Sequence, residues 1–330
     1  MLGKRGWKKI LVLCMILAVG IFLIACSSDQ KSNEQKSQTE QTSQKEIVIG
    51  FSQATMNHPY RIAMVERNKK YAVEHYPDVK LIVTDGQNTA SKQVADVEDL
   101  IAKKPNVIIV SPLNEDALTP VVKKAMDMGI PVITLDRKVN TEVTAHIGAK
   151  NYPMGVAAAE FIAKALNGKG NIIEIQGTAG ASATVERDQG FRDTIKKYPG
   201  LKIVAEQYCD YLREPAMKFM EDMLQRFPKG QIQAVYAHND AMALAAIEAI
   251  KAAGRLDDIK VITGMDGERL AFESIKKGEL SATITYPTCA PEGIQYAYKV
   301  AKGEKIPKEI SLEGHLVTKE NVDQFIDQGI

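Results

Sequence analysis

Net charge is almost absent from this chain: 42 basic residues offset 41 acidic ones, leaving +1. That balance gives no strong pull toward a polyanion, so no nucleic-acid partner is expected. Glycine is missing where a nicotinamide-binding fold needs it, in the turn after the first apolar run, which reads SQATMNHPYR over residues 52–61. The stretch richest in glycine, GTAGASATVERDQG at 177–190, lacks the lysine and spacing of a phosphate loop, so its glycines are read as serving turns and close packing. The five histidines, His58, His75, His146, His238 and His315, show no pair at metal-ligand spacing, and neither HExxH nor clustered CxxC occurs. No metal and no cofactor are therefore expected. The only tryptophan, Trp7, precedes the body, so aromatic stacking on a ligand must fall to tyrosine.

What is present begins with a leader. Lys4, Arg5, Lys8 and Lys9 stand ahead of an apolar stretch from Ile10 to Ala25, the layout of an export signal. It ends in Leu23-Ile24-Ala25-Cys26, which resembles the bacterial lipobox, and 1–26 is read as a lipoprotein signal peptide with Cys26 as the lipidated residue. An uncleaved transmembrane anchor is the other reading, since about 17 to 25 apolar residues span a bilayer. Residues 27–45, SSDQKSNEQKSQTEQTSQK, carry no apolar side chain to bury and are expected to form a disordered tether. Both readings put the body outside the cytoplasm, tethered to the outer face of the cell membrane. Setting aside Cys14 and Cys26, two cysteines remain, Cys209 and Cys289; an oxidising compartment permits a bridge, but free thiols are the favoured expectation.

From Ile47 onward short apolar runs alternate with amphipathic stretches. IVIGF, KLIVT, NVIIVS and PVITL are continuous and rich in Val and Ile, as in parallel strands buried on both faces. SKQVADVEDLIAKK between them places Val94, Val97, Leu100 and Ile101 on one helical face. After TAHIGAKN the rhythm restarts and runs to IKVITG. Two such series imply two doubly wound αβα lobes joined by a hinge, not one sheet of a dozen strands. The expected division is 46–150 plus 287–310 for the N-terminal lobe and 151–286 plus 311–330 for the C-terminal lobe. The late strand LSATITYP and helix PEGIQYAYKVAKG could instead both return to the first lobe.

Ligands in such folds sit beyond the carboxyl ends of the strands. Those ends supply Ser52, Gln53, His58, Tyr60 and Arg61, then Asp85, Gln87, Ser111, Asn114, Asp136 and Arg137 in the first series. The second supplies Gln176, Arg187, Asp210, Tyr211, His238, Asn239 and Asp266. Planar hydrogen-bonding groups at nearly every strand end suit a ligand covered in hydroxyls. A glycosidase pair among these acids is the competing enzyme reading.

With these residues in view, the body resembles the type I periplasmic sugar-binding proteins, the ribose and galactofuranose group that serves ABC transporters. The resemblance is carried by GFSQATMNHPYR, ITLDR, QGTAGASATVERDQGF, VYAHNDAMALAAIEAIKAAG and GMDG, in that order. It implies that Tyr60, Arg61, Asp136 and Arg137 of the first lobe contact a sugar with Arg187, Tyr211, Asn239 and Asp266 of the second, and with Tyr286 and Thr288 at the hinge. Asn239 could equally cap the following helix, and Asp266-Gly267 could be an ordinary turn. The galactofuranose binders look closest, through GFSQ, the aromatic-arginine pair Tyr60-Arg61, the DGQ after the second strand and YAHND. The family's ribose binders carry paired phenylalanines at Tyr60-Arg61 and a glutamine near Tyr286, which speaks against ribose. A carboxylate accepts from hydroxyls while an arginine donates from a rigid fork, which is chemistry fit for a sugar. The implied function is hinge closure on a monosaccharide and delivery to an ABC transporter permease by a monomeric body that performs no reaction. The alternatives are a receptor signalling through a membrane histidine kinase and a sugar-active enzyme. A repressor with a similar body would need a helix-turn-helix where the leader stands. Asp136→Ala is expected to remove the sugar response and leave the fold intact.

Overall fold

Each buried apolar run becomes a strand of one of two sheets, and the helices between them cover the sheet faces. The computed structural model describes residues 46–330; the leader, Cys26 and the tether lie outside the described residues. The first half runs β1 (Ile47–Gln53), α1 (Pro59–His75), β2 (Val79–Asp85), α2 (Ala90–Ala102), β3 (Val107–Ser111), α3 (Glu115–Asp127), β4 (Val132–Leu135) and β5 (Ala145–Ala149). The second continues with α4 (Asn151–Ala165), β6 (Lys169–Gln176), α5 (Ser182–Ile195), β7 (Gly200–Tyr208), α6 (Arg213–Arg226), β8 (Ala234–Ala237), α7 (Asp240–Ala252), β9 (Val261–Thr263), α8 (Arg269–Lys277) and β10 (Ala282–Ile284). α9 (Glu292–Ala301), β11 (Glu309–Leu312) and β12 (Leu316–Thr318) follow.

Among the described residues these strands form two six-stranded sheets, ordered β11-β5-β4-β3-β1-β2 and β12-β10-β9-β8-β6-β7. The ladders are parallel except where β12 runs antiparallel to β10. Both orders reverse beside β1 and β6, the first strand of each series, which puts a ligand-binding crevice at the carboxyl ends of each sheet. Helix α2 shows how the pattern produces the layer: Val97, Leu100 and Ile101 are buried and Val94 half-buried in one apolar cluster with β3 and α3.

The chain passes between sheets three times, after β5, after β10 and after β11. The late strand β10 belongs to the second sheet, whereas α9 packs on α1 in the first lobe. Buried Asn68 of α1 fixes that return, accepting from Ile294 N at 2.8 Å and donating to Cys289 O at 3.2 Å. The return at residue 310 expected from the sequence is corrected: Ser311 and Leu312 still pair with Gly148 and Ala149 of β5, so the last passage follows Leu312. Cys209 and Cys289 are buried free thiols.

Candidate functional site

Helix α1 begins at Pro59, whose ring fixes φ and needs no N–H partner at a helix start. His58, Tyr60 and Arg61 are thereby turned inward at the end of β1, and all three are buried. The Tyr60 hydroxyl donates to Pro287 O at 3.0 Å, reaching the hinge. Arg61 donates to Ser111 Oγ at the end of β3, and its Nη2 lies 2.6 Å from Asp136 Oδ2.

Beyond β4 the chain takes a left-handed residue, Asp136 with φ +64°, whose N–H donates to Ile147 O at 2.8 Å. That turn sends both Asp136 and Arg137 into the crevice. Arg137 Nη1 donates to Leu113 O at 3.0 Å and Pro112 O at 3.3 Å. Asp136 Oδ1 accepts from the Tyr286 hydroxyl at 2.6 Å, so an acid of the first lobe is tied to the hinge.

The second lobe holds its groups from behind. Arg187 of α5 donates from Nε to Asn151 Oδ1 at 2.9 Å and from Nη1 to His238 O at 2.6 Å. Its guanidinium lies 4.5 Å from the centre of the Tyr286 ring. Tyr211 follows Asp210 in the left-handed region, φ +63° and +54°, and its hydroxyl shares a 2.8 Å hydrogen bond with Thr184 Oγ1. A Cβ on Gly177 would stand 2.0 Å from that tyrosine ring, so here the glycine-rich segment provides close packing. Across the crevice the Tyr211 ring centre is 5.2 Å from the Arg137 guanidinium and 6.3 Å from the His58 ring.

These groups converge on one small, tightly closed pocket between the strand ends. Of the ten residues expected from the sequence, Tyr60, Arg61, Asp136, Arg137, Arg187, Tyr211, Asp266 and Tyr286 line it. Asn239 does not. Its Oδ1 caps α7 by accepting from Met242 N at 2.9 Å, and its Nδ2 donates to Tyr211 O at 3.3 Å, which supports Tyr211 from outside. Thr288 lines a neighbouring crevice at the hinge, which Asp266 and Tyr286 also border. His58 and Ala183 complete the lining. His58 was visible as a polar residue beyond β1, but only its burial beside Arg61 and Arg137 singles it out.

The electrostatics divide the two acids. Burial opposes charge on Asp136, yet Arg61 and Arg137 outweigh it and hold its carboxyl below the usual range. Burial pushes Asp266 well above that range despite Arg187 nearby. His58 is driven well below its ordinary value by burial and by Arg61 and Arg137, leaving a neutral imidazole. Burial and Arg61 press Arg137 down to about 10, still charged at neutral pH. Three buried polar atoms of the lining lack a hydrogen-bond partner, His58 Nδ1, Arg61 Nε and Arg137 Nε, while Asp136 Oδ2 is held by the Arg61 guanidinium at 2.6 Å. Such groups are costly to bury alone and nearly always find partners. The site therefore offers both donors and acceptors to a small, multiply hydroxylated molecule.

Comparison with known proteins agrees with this architecture. Over 312 residues the chain is 36% identical to the ribose import binding protein RbsB of Bacillus subtilis, covering 92% of this chain and 98% of that protein. It is 31% identical over 274 residues to the galactofuranose-binding protein YtfQ of Escherichia coli, covering 81% and 86%. Overall identity is thus higher to a ribose import protein, against the expectation that galactofuranose binders are closer. A solute binding protein of an ABC transporter from Bacillus halodurans, solved with myo-inositol, superposes with a TM-score of 0.82 at 32% identity, covering 87% of this chain and 100% of that one. The fructose-binding periplasmic domain of a hybrid two-component system gives 0.81 at 33% identity, covering 86% and 94%. Residues 49–305 match the periplasmic binding protein domain, and the chain belongs to that family.

Proposed function

We propose that this protein binds a monosaccharide, a pentose or hexose in pyranose or furanose form, between its two lobes and delivers it to the permease of a sugar ABC transporter. The observation that carries this reading is the convergence of buried, unpartnered polar atoms on one small cavity. The contacts proposed are Tyr60, Arg61, Asp136, Arg137 and His58 from the first lobe, Arg187, Tyr211 and Asp266 from the second, and Tyr286 from the hinge. Asp136 accepts from sugar hydroxyls, the arginines donate, and the tyrosine rings pack against C–H faces. Closure brings the lobes together by hinge motion, and no bond of the sugar changes. Lys138 N, 2.9 Å from Ser182 Oγ, and Glu115 N, 3.0 Å from Gly180 O, hold the rims together.

The body acts as a monomer outside the cytoplasm, with Cys26 as the lipid attachment to the outer face of the cell membrane. A sensing role through a membrane histidine kinase is the second reading, favoured by the likeness to the domain of a two-component system. The test is a thermal-shift screen of the body against D-ribose, D-galactose, D-fructose, L-arabinose and myo-inositol. One or more should raise the melting temperature as ligand exceeds Kd, by mass action. A flat response to all five, or turnover of a sugar, overturns the reading.

A further inference from the structure

Asp240 is fully buried at the start of α7, yet it neither lines the cavity nor caps its own helix, a task taken by Asn239. Its carboxylate turns sideways. Oδ2 accepts from Gly267 N and Glu268 N, both at 2.8 Å, while Oδ1 accepts from Thr283 Oγ1 at 2.6 Å. Its own N–H donates to Met265 O at 2.6 Å. Asp240 therefore holds the backbone on both sides of Asp266. On the opposite edge Asp266 N donates to Ile284 O at 2.9 Å, and Asp266 O accepts from Tyr286 N at 3.0 Å.

This arrangement explains the GMDG sequence. A Cβ on Gly264 would come within 2.2 Å of Asp240 Oδ1, so the first glycine leaves room for the carboxylate. The second, with φ +77°, bends the chain so that two successive N–H groups meet one oxygen. Asp266 itself takes φ +132°, which a non-glycine residue keeps only when its surroundings enforce it.

We propose that Asp240 is a positioning residue: it fixes the Gly264–Glu268 loop so that the Asp266 carboxyl faces the cleft, and through Thr283 it joins that loop to the hinge strand β10. The proposal rests on the sugar-binding reading of the cleft. Burial raises Asp240 to about 6, against Thr283, the Glu268 and Gly267 amides and Arg187, so it is ionised at pH 7.5 and accepts with both oxygens. Asp266 and Glu268 are the acids that face it.

The test titrates D-ribose and D-galactose by calorimetry at pH 7.5 into wild type, Asp240→Ala, Asp240→Asn, Glu268→Pro and Glu268→Ala. Loss of a buried acceptor should raise Kd about tenfold or more in Asp240→Ala, while Asp240→Asn, whose amide oxygen still accepts from both N–H groups, stays within about threefold. Glu268 has φ −65°, which proline adopts, so Glu268→Pro deletes one N–H of the clamp without touching Asp240. Its Kd should rise about fivefold over that of Glu268→Ala, which keeps the N–H. A merely structural role would lower melting temperatures and leave Kd unchanged. Equal affinity in the Glu268→Pro and Glu268→Ala proteins overturns the proposal, even should Asp240→Ala fail to fold. If neither sugar binds wild type, the sugar reading is not supported by these ligands, and amide exchange decides this one. Gly267 and Glu268 should then exchange about a hundredfold slower than an unprotected chain, and unprotected exchange overturns it.

Discussion

The two faces of the cleft solve the burial of charge differently. On the first-lobe face Asp136 and two arginines compensate one another inside the cavity, with Arg61 Nη2 2.6 Å and Arg137 Nε 3.7 Å from Asp136 Oδ2. On the second-lobe face Arg187 is held by a backbone carbonyl and an asparagine, and Asp266 by its own backbone, so each is anchored outward. The acids titrate accordingly. Asp136 is held down after its arginines outweigh burial, whereas burial raises Asp240 to about 6, Glu268 to about 8 and Glu174 to about 9. A charge network is vulnerable to the loss of one member, while separately anchored groups fail one at a time.

Removing Asp136 is the harshest way to break that comparison. Asp136→Ala leaves two buried guanidiniums facing each other, which should cost about 3–5 kcal/mol of stability, and it places alanine at φ +64°. The expectation that this change spares the fold is thereby corrected. Urea denaturation should show a much lower midpoint together with loss of the sugar response, and a wild-type midpoint would show that the network is not mutual. Arg187→Met is milder. It orphans His238 O and Asn151 Oδ1 and takes a favourable charge from Asp266, but it breaks no direct ion pair, so a loss of about 1–3 kcal/mol is expected on the same measurement. A cost equal to that of Asp136→Ala would erase the distinction between the faces.

The smallest effect concerns pH. Glu268 is raised from 4.5 to about 8 in the folded protein by burial and Asp240. A group raised on folding contributes stability that is complete below its unfolded value and is lost as pH climbs through the folded one. The Glu268 contribution should therefore decline from about pH 4.5 to about pH 8, lowering the melting temperature over that range, and Glu268→Gln should flatten that decline. Asp136 works in the opposite sense: its contribution is present above the unfolded value and fades as acid protonates it. A Glu268→Gln profile that keeps the full decline would assign the loss to other groups.

Much of the cleft was legible because strand ends can be located from periodicity. Asp136 and Arg137 follow the buried strand VITL, and residues just beyond a parallel strand lie at the edge where the crevice opens. Asn239 takes the helix cap that its residue type already offered. Only the direction of its side chain decides between cap and ligand contact. Thr288 is buried at the hinge beside a neighbouring crevice that shares Asp266 and Tyr286 with the cavity. The clamp formed by Asp240 left no trace in periodicity, since its partners lie 27, 28 and 43 residues away along the chain.

By itself the sequence determined the alternation of buried runs and helices, the split into two lobes and the residue types around the cleft. Those properties follow from local periodicity and from the chemistry of single side chains. Tertiary structure alone decided that Ser311 and Leu312 extend the first sheet, that His58 joins the cavity, and that Asp136 carries charge while Asp266 resists it. Pairing register, burial and the summed field of neighbouring charges arise only when distant segments meet.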